Sequence, residues 1–313
     1  MKLFQAKSLT DIVNDPKNQE KSLQVFGDYI RENELSIIFG DTNSCKSLLT
    51  GDIALSVICN HATWEGHKMS ELPLGTQVLY YDLEMSERQV AERYQNMDLP
   101  ADSFVRISFT PTTYGQAELS DLYGDILERT DGFDKPVVLV LDNMQCFVQN
   151  VQNVASVGGF MDTLKNLLSI RKNLTIIVVG HCIKRNLSKP LTENDLAGSK
   201  IIANKADVII GISKSCQGPD MRYVKMVKNR NRKRIDGVAE LEISNEPYLH
   251  LELISWGDED SHLKKSKMGR PGLADEQRKL IIDLASQNKS CREIAEIVNI
   301  SKSTVNRVIL GQI

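Results

Sequence analysis

Up to about residue 220 the chain alternates short, apolar, β-branched runs with segments of helical periodicity. Leu35–Phe39, Gln77–Tyr81, Pro136–Leu141, Leu174–Val179 and Ala206–Ile212 read as buried strands, and Val105–Phe109, which alternates apolar and polar positions, as a strand nearer an edge. Lys46–Cys59, Glu87–Asn96, Leu119–Thr130 and Phe160–Arg171 read as the helices between them, the last preceded by a Gln/Asn/Gly-rich loop. Strands that are apolar on both sides and alternate with helices predict an α/β fold, a mostly parallel sheet covered on both faces. Past residue 220 the pattern changes. Arg222–Lys228, Ala239–Ser244 and Tyr248–Ile254, separated by basic or Gly/Asn/Pro turns, predict antiparallel β-structure.

From Gly257 to Gly272 the periodicity stops. Charges, then Gly269-Arg270-Pro271-Gly272, read as a mobile linker and basic arm. Three short helices follow. The first spans about Ala274–Ser286, with Leu273, Gln277, Leu280, Ile281 and Leu284 at helical spacing; the second opens on the capping box Ser290–Glu293. Asn299 provides a tight turn and Ser301 caps the third helix, whose expected buried stripe is Val305, Val308 and Ile309. The predicted division is 1–256 (with 1–22 as an extension), 257–272 as linker, and 273–313 as a small all-α helix-turn-helix domain.

The chemistry begins where the first strand ends. Gly40-Asp41-Thr42-Asn43-Ser44-Cys45-Lys46-Ser47 joins a strand to a helix and follows the P-loop pattern G-x-x-x-x-G-K-[ST], with Cys45 in place of the second glycine. Such a loop turns its amides around phosphate oxygens at a helix N-terminus. Lys46 would reach the outer phosphates and Ser47 would hold Mg²⁺. A cysteine where glycine is usual predicts about 1 kcal/mol of backbone strain. Asp142 ends a buried strand about 95 residues later, as a Mg²⁺-holding carboxylate would, although Asp also starts ordinary turns. Glu84, after the Gln77–Tyr81 strand, suits a base that polarises the attacking water, or an acidic helix start. His181, after Leu174–Val179, could contact the γ-phosphate by a hydrogen bond, or be an ordinary loop histidine with its own partners.

Composition narrows the setting. The 313 residues carry a net charge of −3, but Ser261–Ile313 holds ten Lys/Arg against five Asp/Glu, leaving −8 on the rest. A basic tail on an acidic body points to nucleic acid at the C-terminus. Six cysteines without C-x-x-C spacing argue for reduced thiols and against a zinc site. With no apolar run of membrane-spanning length and no signal-peptide core, a cytoplasmic protein is expected.

Several stretches resemble a known family. Tyr81–Ser86 resembles the Leu-Glu-Met-Ser stretch of RecA-fold hexameric helicases of the DnaB type. Gly180-His181-Cys182-Ile183-Lys184 is similar to the His-containing stretch of their small plasmid relative, the RepA helicase, and Val227-Lys228-Asn229-Arg230-Asn231 to the Lys-x-Arg-Asn of DnaB-like proteins. The resemblance covers roughly residues 23–255. It implies a RecA-like ATPase using ATP and Mg²⁺, with Glu84 as catalytic base and His181 as sensor. Lys228 and Arg230 would act across a subunit interface of a homo-oligomer, a hexamer in that family, with single-stranded DNA at the ring. Read from the residues alone, Lys228–Arg234 is also a solvated basic turn, or a phosphate-backbone contact through Arg232–Arg234.

The third C-terminal helix would enter a DNA major groove with Lys302, Ser303, Asn306 and Arg307 on its open faces, unless the module binds protein instead. Gly269–Ile309 also resembles the DNA-binding domain of Hin-type recombinases, through Gly-Arg-Pro before the first helix and Ser-Thr-x-x-Arg in the third. That resemblance places Arg270 in the minor groove. The combined expectation is an ATPase for replication or mobilisation of a plasmid-like element. A nucleotide-binding regulator without turnover and a recombination-mediator ATPase are the alternatives.

Overall fold

A computed structural model describes residues 4–59, 64, 69–95, 97, 99–100, 102–110, 118–148, 151, 153–264 and 275–311. Arg270 and the rest of the Gly-Arg-Pro arm lie outside the described residues. The chain divides into two compact units, Met1–Lys264 and Lys265–Ile313.

In the larger unit, α1 (Leu9–Asn14), α2 (Pro16–Gln19) and the small hairpin β1 (Gln24–Phe26) and β2 (Ile30–Arg31) precede the alternating part. There follow β3 (Leu35–Gly40), α3 (Lys46–Cys59), β4 (Gln77–Asp82), α4 (Glu87–Tyr94), β5 (Phe104–Ile107) and α5 (Leu119–Arg129). Then come β6 (Val137–Asp142), α6 (Val154–Ile170), β7 (Leu174–His181), α7 (Ser199–Lys205) and β8 (Val208–Lys214). The strands β9 (Met221–Asn229), β10 (Val238–Ser244) and β11 (His250–Gly257) end the series. One nine-stranded sheet in the order β11-β10-β9-β8-β3-β7-β6-β4-β5 contains them. From β8 to β5 every pairing is parallel, and β9–β11 add antiparallel strands beyond β8.

Each central strand is buried on both sides, which is why it reads as an unbroken apolar run. Ile38, Val78, Val138 and Ile177 face one core with α3; Ile37, Leu79, Leu139 and Val178 face the other with α5 and α6. Helix α3 is buried almost all round. It carries Asp52, whose carboxylate accepts from Leu251 N at 2.9 Å and whose pKa burial pushes well above the carboxylate range. The unfolded chain gives up this proton at an ordinary pKa while the fold retains it. Stability is therefore lost as pH rises from the unfolded pKa through the folded one. Asp52→Asn keeps the acceptor. It is expected to raise the melting temperature at neutral pH, with the gain vanishing on acidification towards pH 4.

Two expectations needed correction in this unit. Helix α6 begins at Val154, not Phe160, because Asn153 caps it by accepting from Ala155 N and Ser156 N. The buried stripe Val157, Phe160, Met161 and Leu164 outweighs the roughly 1 kcal/mol cost of each helical glycine, Gly158 and Gly159. The assigned linker also starts too early. Glu259–His262 form a 3-10 turn held against the sheet: Glu259 pairs with Lys225, and His262, fully buried, stacks on Tyr223 and bonds to Ser215 and Glu240 at 2.8 and 3.0 Å.

The smaller unit consists of α8 (Asp275–Ser286), α9 (Cys291–Val298) and α10 (Lys302–Ile309). Ile281, Leu284, Ile294, Val305 and Val308 form its core. Ile309 and Leu280 are exposed, unlike the expected stripe, because the core closes on Val305 and Val308. The capping box of α9 and the Ser301 cap of α10 are both present, and Asn299 turns the chain at φ +54°. No helix among the described residues is long and apolar enough to cross a membrane.

Candidate nucleotide site

Parallel pairing brings the C-terminal ends of β3, β7, β6 and β4 to one sheet edge. Gly40 lies opposite His181, and Asp82 opposite Asp142. Around this edge an open cleft of about 420 Å³ is lined by the loop residues Thr42, Asn43, Cys45, Lys46 and Ser47 together with Glu84, Asp142 and His181. Gly40 ends β3, and within the loop Ser44 N donates to the Asp41 carbonyl at 3.2 Å. Ligands of open α/β sheets bind at this kind of edge, beyond the carboxyl ends of the strands.

Lys46 is nearly buried, and its ammonium donates to the carbonyls of Gly40 and Asp41 at 3.1 and 2.9 Å. Burial lowers its pKa, opposed by neighbouring anionic groups including Asp142 and Glu84. Asp142 accepts from Tyr80 Oη at 3.0 Å, and the nearby Ser47 hydroxyl favours its charged form. Burial still raises its pKa, with Glu84 and Asp82 adding to the effect. A cation beside Ser47 and Asp142 would relieve this buried carboxylate, so the pair suits a divalent ion. Among the described residues no group of three or more His, Cys, Asp or Glu could hold a metal unaided. Mg²⁺ sites built on one carboxylate and substrate phosphates have no such group.

The two carboxylates after β4 differ in their partners. Asp82 forms an ion pair with Arg106 at 3.0 Å and accepts from Met85 N at 3.0 Å, so it shapes the turn. Glu84 is exposed to the cleft and accepts from Asn143 Nδ2, which also contacts His181 Nε2 at 3.3 Å. Burial lowers the His181 pKa, and Lys46 lowers it further.

Cys45 has φ +73°, in the left-handed region that the missing glycine would enter freely. Cys45→Gly would relieve about 1 kcal/mol of strain, while the added chain freedom costs about 0.5–1 kcal/mol. Urea unfolding is therefore expected to show a stability change within about 1 kcal/mol. Nucleotide titration should show tighter binding, because the loop amides gain freedom to close on phosphate.

Lys228 and Arg230 stand apart from this cleft in their own chain. Antiparallel pairing sets Lys228 against Ile209 and Arg222 against Lys214, so β9 presents Lys228 at the opposite sheet edge from the P-loop. Lys228 donates to the Ala203 and Ala206 carbonyls, and Arg230 pairs with Asp207 at 3.7 Å. Arg232 is tied to Glu34 at 2.6 Å and is not a free DNA contact. Lys302, Ser303, Asn306 and Arg307 are all exposed on α10.

Arg93, Asn143, Arg222 and Leu249 also line the cleft and were missed in the sequence. Asn143 had a signal, its place directly after Asp142. The other three come from α4 and from the antiparallel end of the sheet, and only the fold brings them close.

A family model described as an AAA domain matches residues 4–186, more than half of the chain. No curated protein matches the chain in sequence. Among solved structures, the ATPase domain of G40P is similar with a TM-score of 0.53 and 13% identity, over 71% of this chain and 85% of that one. A KaiC-like protein from the hyperthermophilic archaeon Pyrococcus horikoshii OT3 is similar with a TM-score of 0.50 and 13% identity, over 71% and 90%. At that identity the two structures speak for the shared fold. From the family match, the chain belongs to the AAA domain family, as an ATP-binding ATPase built on a RecA-like P-loop fold.

Proposed function

We propose that the protein works as an oligomeric, Mg²⁺-dependent ATPase acting on DNA. The observation that carries the reading is the meeting of Lys46, Ser47, Glu84, Asp142 and His181 around one cleft. Lys46 and the loop from Gly40 to Ser47 would bind the phosphates, and Ser47 with Asp142 would hold Mg²⁺, which neutralises phosphate charge when bound. Glu84 would accept the proton of the attacking water and His181 would contact the γ-phosphate. Lys228 and Arg230, far from the P-loop of their own chain, would serve a neighbouring subunit's nucleotide. The helicase-like motifs at Tyr81–Ser86, Gly180–Lys184 and Val227–Asn231 support a role in replication or mobilisation of a plasmid-like element.

DNA recognition would belong to the C-terminal unit. Supporting it are three helices, a three-residue turn (299–301) between α9 and α10, and the exposed row Lys302, Ser303, Asn306 and Arg307. Arg270 would add a minor-groove contact. Because the body reaches Lys264, the relevant truncation removes residues 265–313. It is expected to abolish specific duplex binding in an electrophoretic shift assay and to leave nucleotide binding intact. Unchanged duplex binding would transfer that role to the ATPase unit.

A further inference from the structure

The buried side chain of Asn143 connects two groups of the cleft that come from different strands. Its Oδ1 accepts from Gln145 N at 2.9 Å, capping the 3-10 turn Met144–Cys146. That bond fixes the amide's orientation and turns Nδ2 into the cleft. An amide nitrogen only donates, and it carries two protons. One goes to Glu84 Oε1 and the other faces His181 Nε2 at 3.3 Å. His181 Nε2 must then accept, which puts the proton of a neutral imidazole on Nδ1. Burial and Lys46 favour that neutral form.

We propose that Asn143 is a positioning residue that holds the Glu84 carboxylate and the His181 imidazole as one unit. It sets the carboxylate's orientation as base and ties it to the strand end that would face the γ-phosphate. This inference rests on the ATPase reading of the cleft. Asn143 acts through the two side chains, so its loss affects the chemical step and not nucleotide capture.

Asn143→Asp separates the roles of the side chain. The new carboxylate still accepts from Gln145 N and preserves the turn, but donates to neither Glu84 nor His181. In the full-length protein, kcat is expected to fall about 10–100-fold, the usual cost of losing an orienting partner. Affinity for a fluorescent ATP analogue should stay within about twofold. In a Glu84→Gln background the same change is expected to cost little more, because the two residues act together. Unchanged kcat in Asn143→Asp, or full additivity with Glu84→Gln, would overturn the inference. A merely structural role would instead lower the melting temperature and weaken nucleotide binding. Nitrogen-15 NMR of labelled histidine, with His181→Gln to assign the signal, gives a readout independent of turnover. The Nδ1–H tautomer is expected for His181, with that preference lost in Asn143→Asp. An Nε2–H tautomer in the parent protein would contradict the inference even if the cleft proved inactive. Parent activity no higher than that of Lys46→Ala would count against the ATPase reading itself.

Discussion

Glu84→Gln is expected to lower kcat about 10²–10⁴-fold, the range for removing a general base, with nucleotide affinity nearly unchanged. Glutamine keeps the length of the side chain and an oxygen to accept from Asn143 Nδ2, but cannot take a proton from water. The two carboxylates that end β4 and the adjacent β6 are already engaged. Asp82 is paired with Arg106 and bonded to the Met85 amide. Asp142 is buried and accepts from Tyr80 Oη. Steady-state phosphate release, with equilibrium binding of a labelled nucleotide, separates the chemical step from binding. Equal loss of binding and rate would assign Glu84 to nucleotide capture.

Gly40→Ala is expected to destabilise the protein by about 3 kcal/mol, the upper end of the usual cost of overpacking. A Cβ at Gly40 would collide with the carbonyl oxygen of Ile212 on β8. That oxygen is backbone in the middle of a nine-stranded sheet, so relief requires β3 and β8 to separate. The same movement would disturb the base of the P-loop. Gly159→Ala provides the control: a Cβ there meets nothing within 4 Å, and helix propensity favours alanine by about 1 kcal/mol. Urea unfolding should show the two substitutions shifting stability in opposite directions. The two ends of the loop thus differ in kind. Gly40 is fixed by lack of space, and Cys45 occupies a conformation that costs energy but leaves room for its side chain.

Much of the fold was legible because the signals were local. Buried strands such as β6 are continuous apolar runs up to their last residue, and Ser290 and Ser301 each announce a helix start. The P-loop, Glu84, Asp142 and His181 could be named because each follows an apolar run, and parallel strands share one functional edge. What stayed hidden depends on distant pairing. The joining of β9–β11 to the same sheet, and the arrival of Arg222 and Leu249 at the cleft, have no local signature. Asn143 was visible as a residue but not as a bridge, since its two partners lie 59 and 38 positions away. His262, set among charged residues, reads as linker until Tyr223, Ser215 and Glu240 are seen to enclose it.

The most direct measurement is ATP hydrolysis by the full-length protein, with and without single- and double-stranded DNA, beside Lys46→Ala. Saturable, Mg²⁺-dependent phosphate release is expected, lowered about 10²–10³-fold by Lys46→Ala, the cost of removing one preorganised donor to transition-state charge. Release no greater than that of Lys46→Ala under every DNA condition would contradict it. The cleft would then be a nucleotide-binding site without turnover.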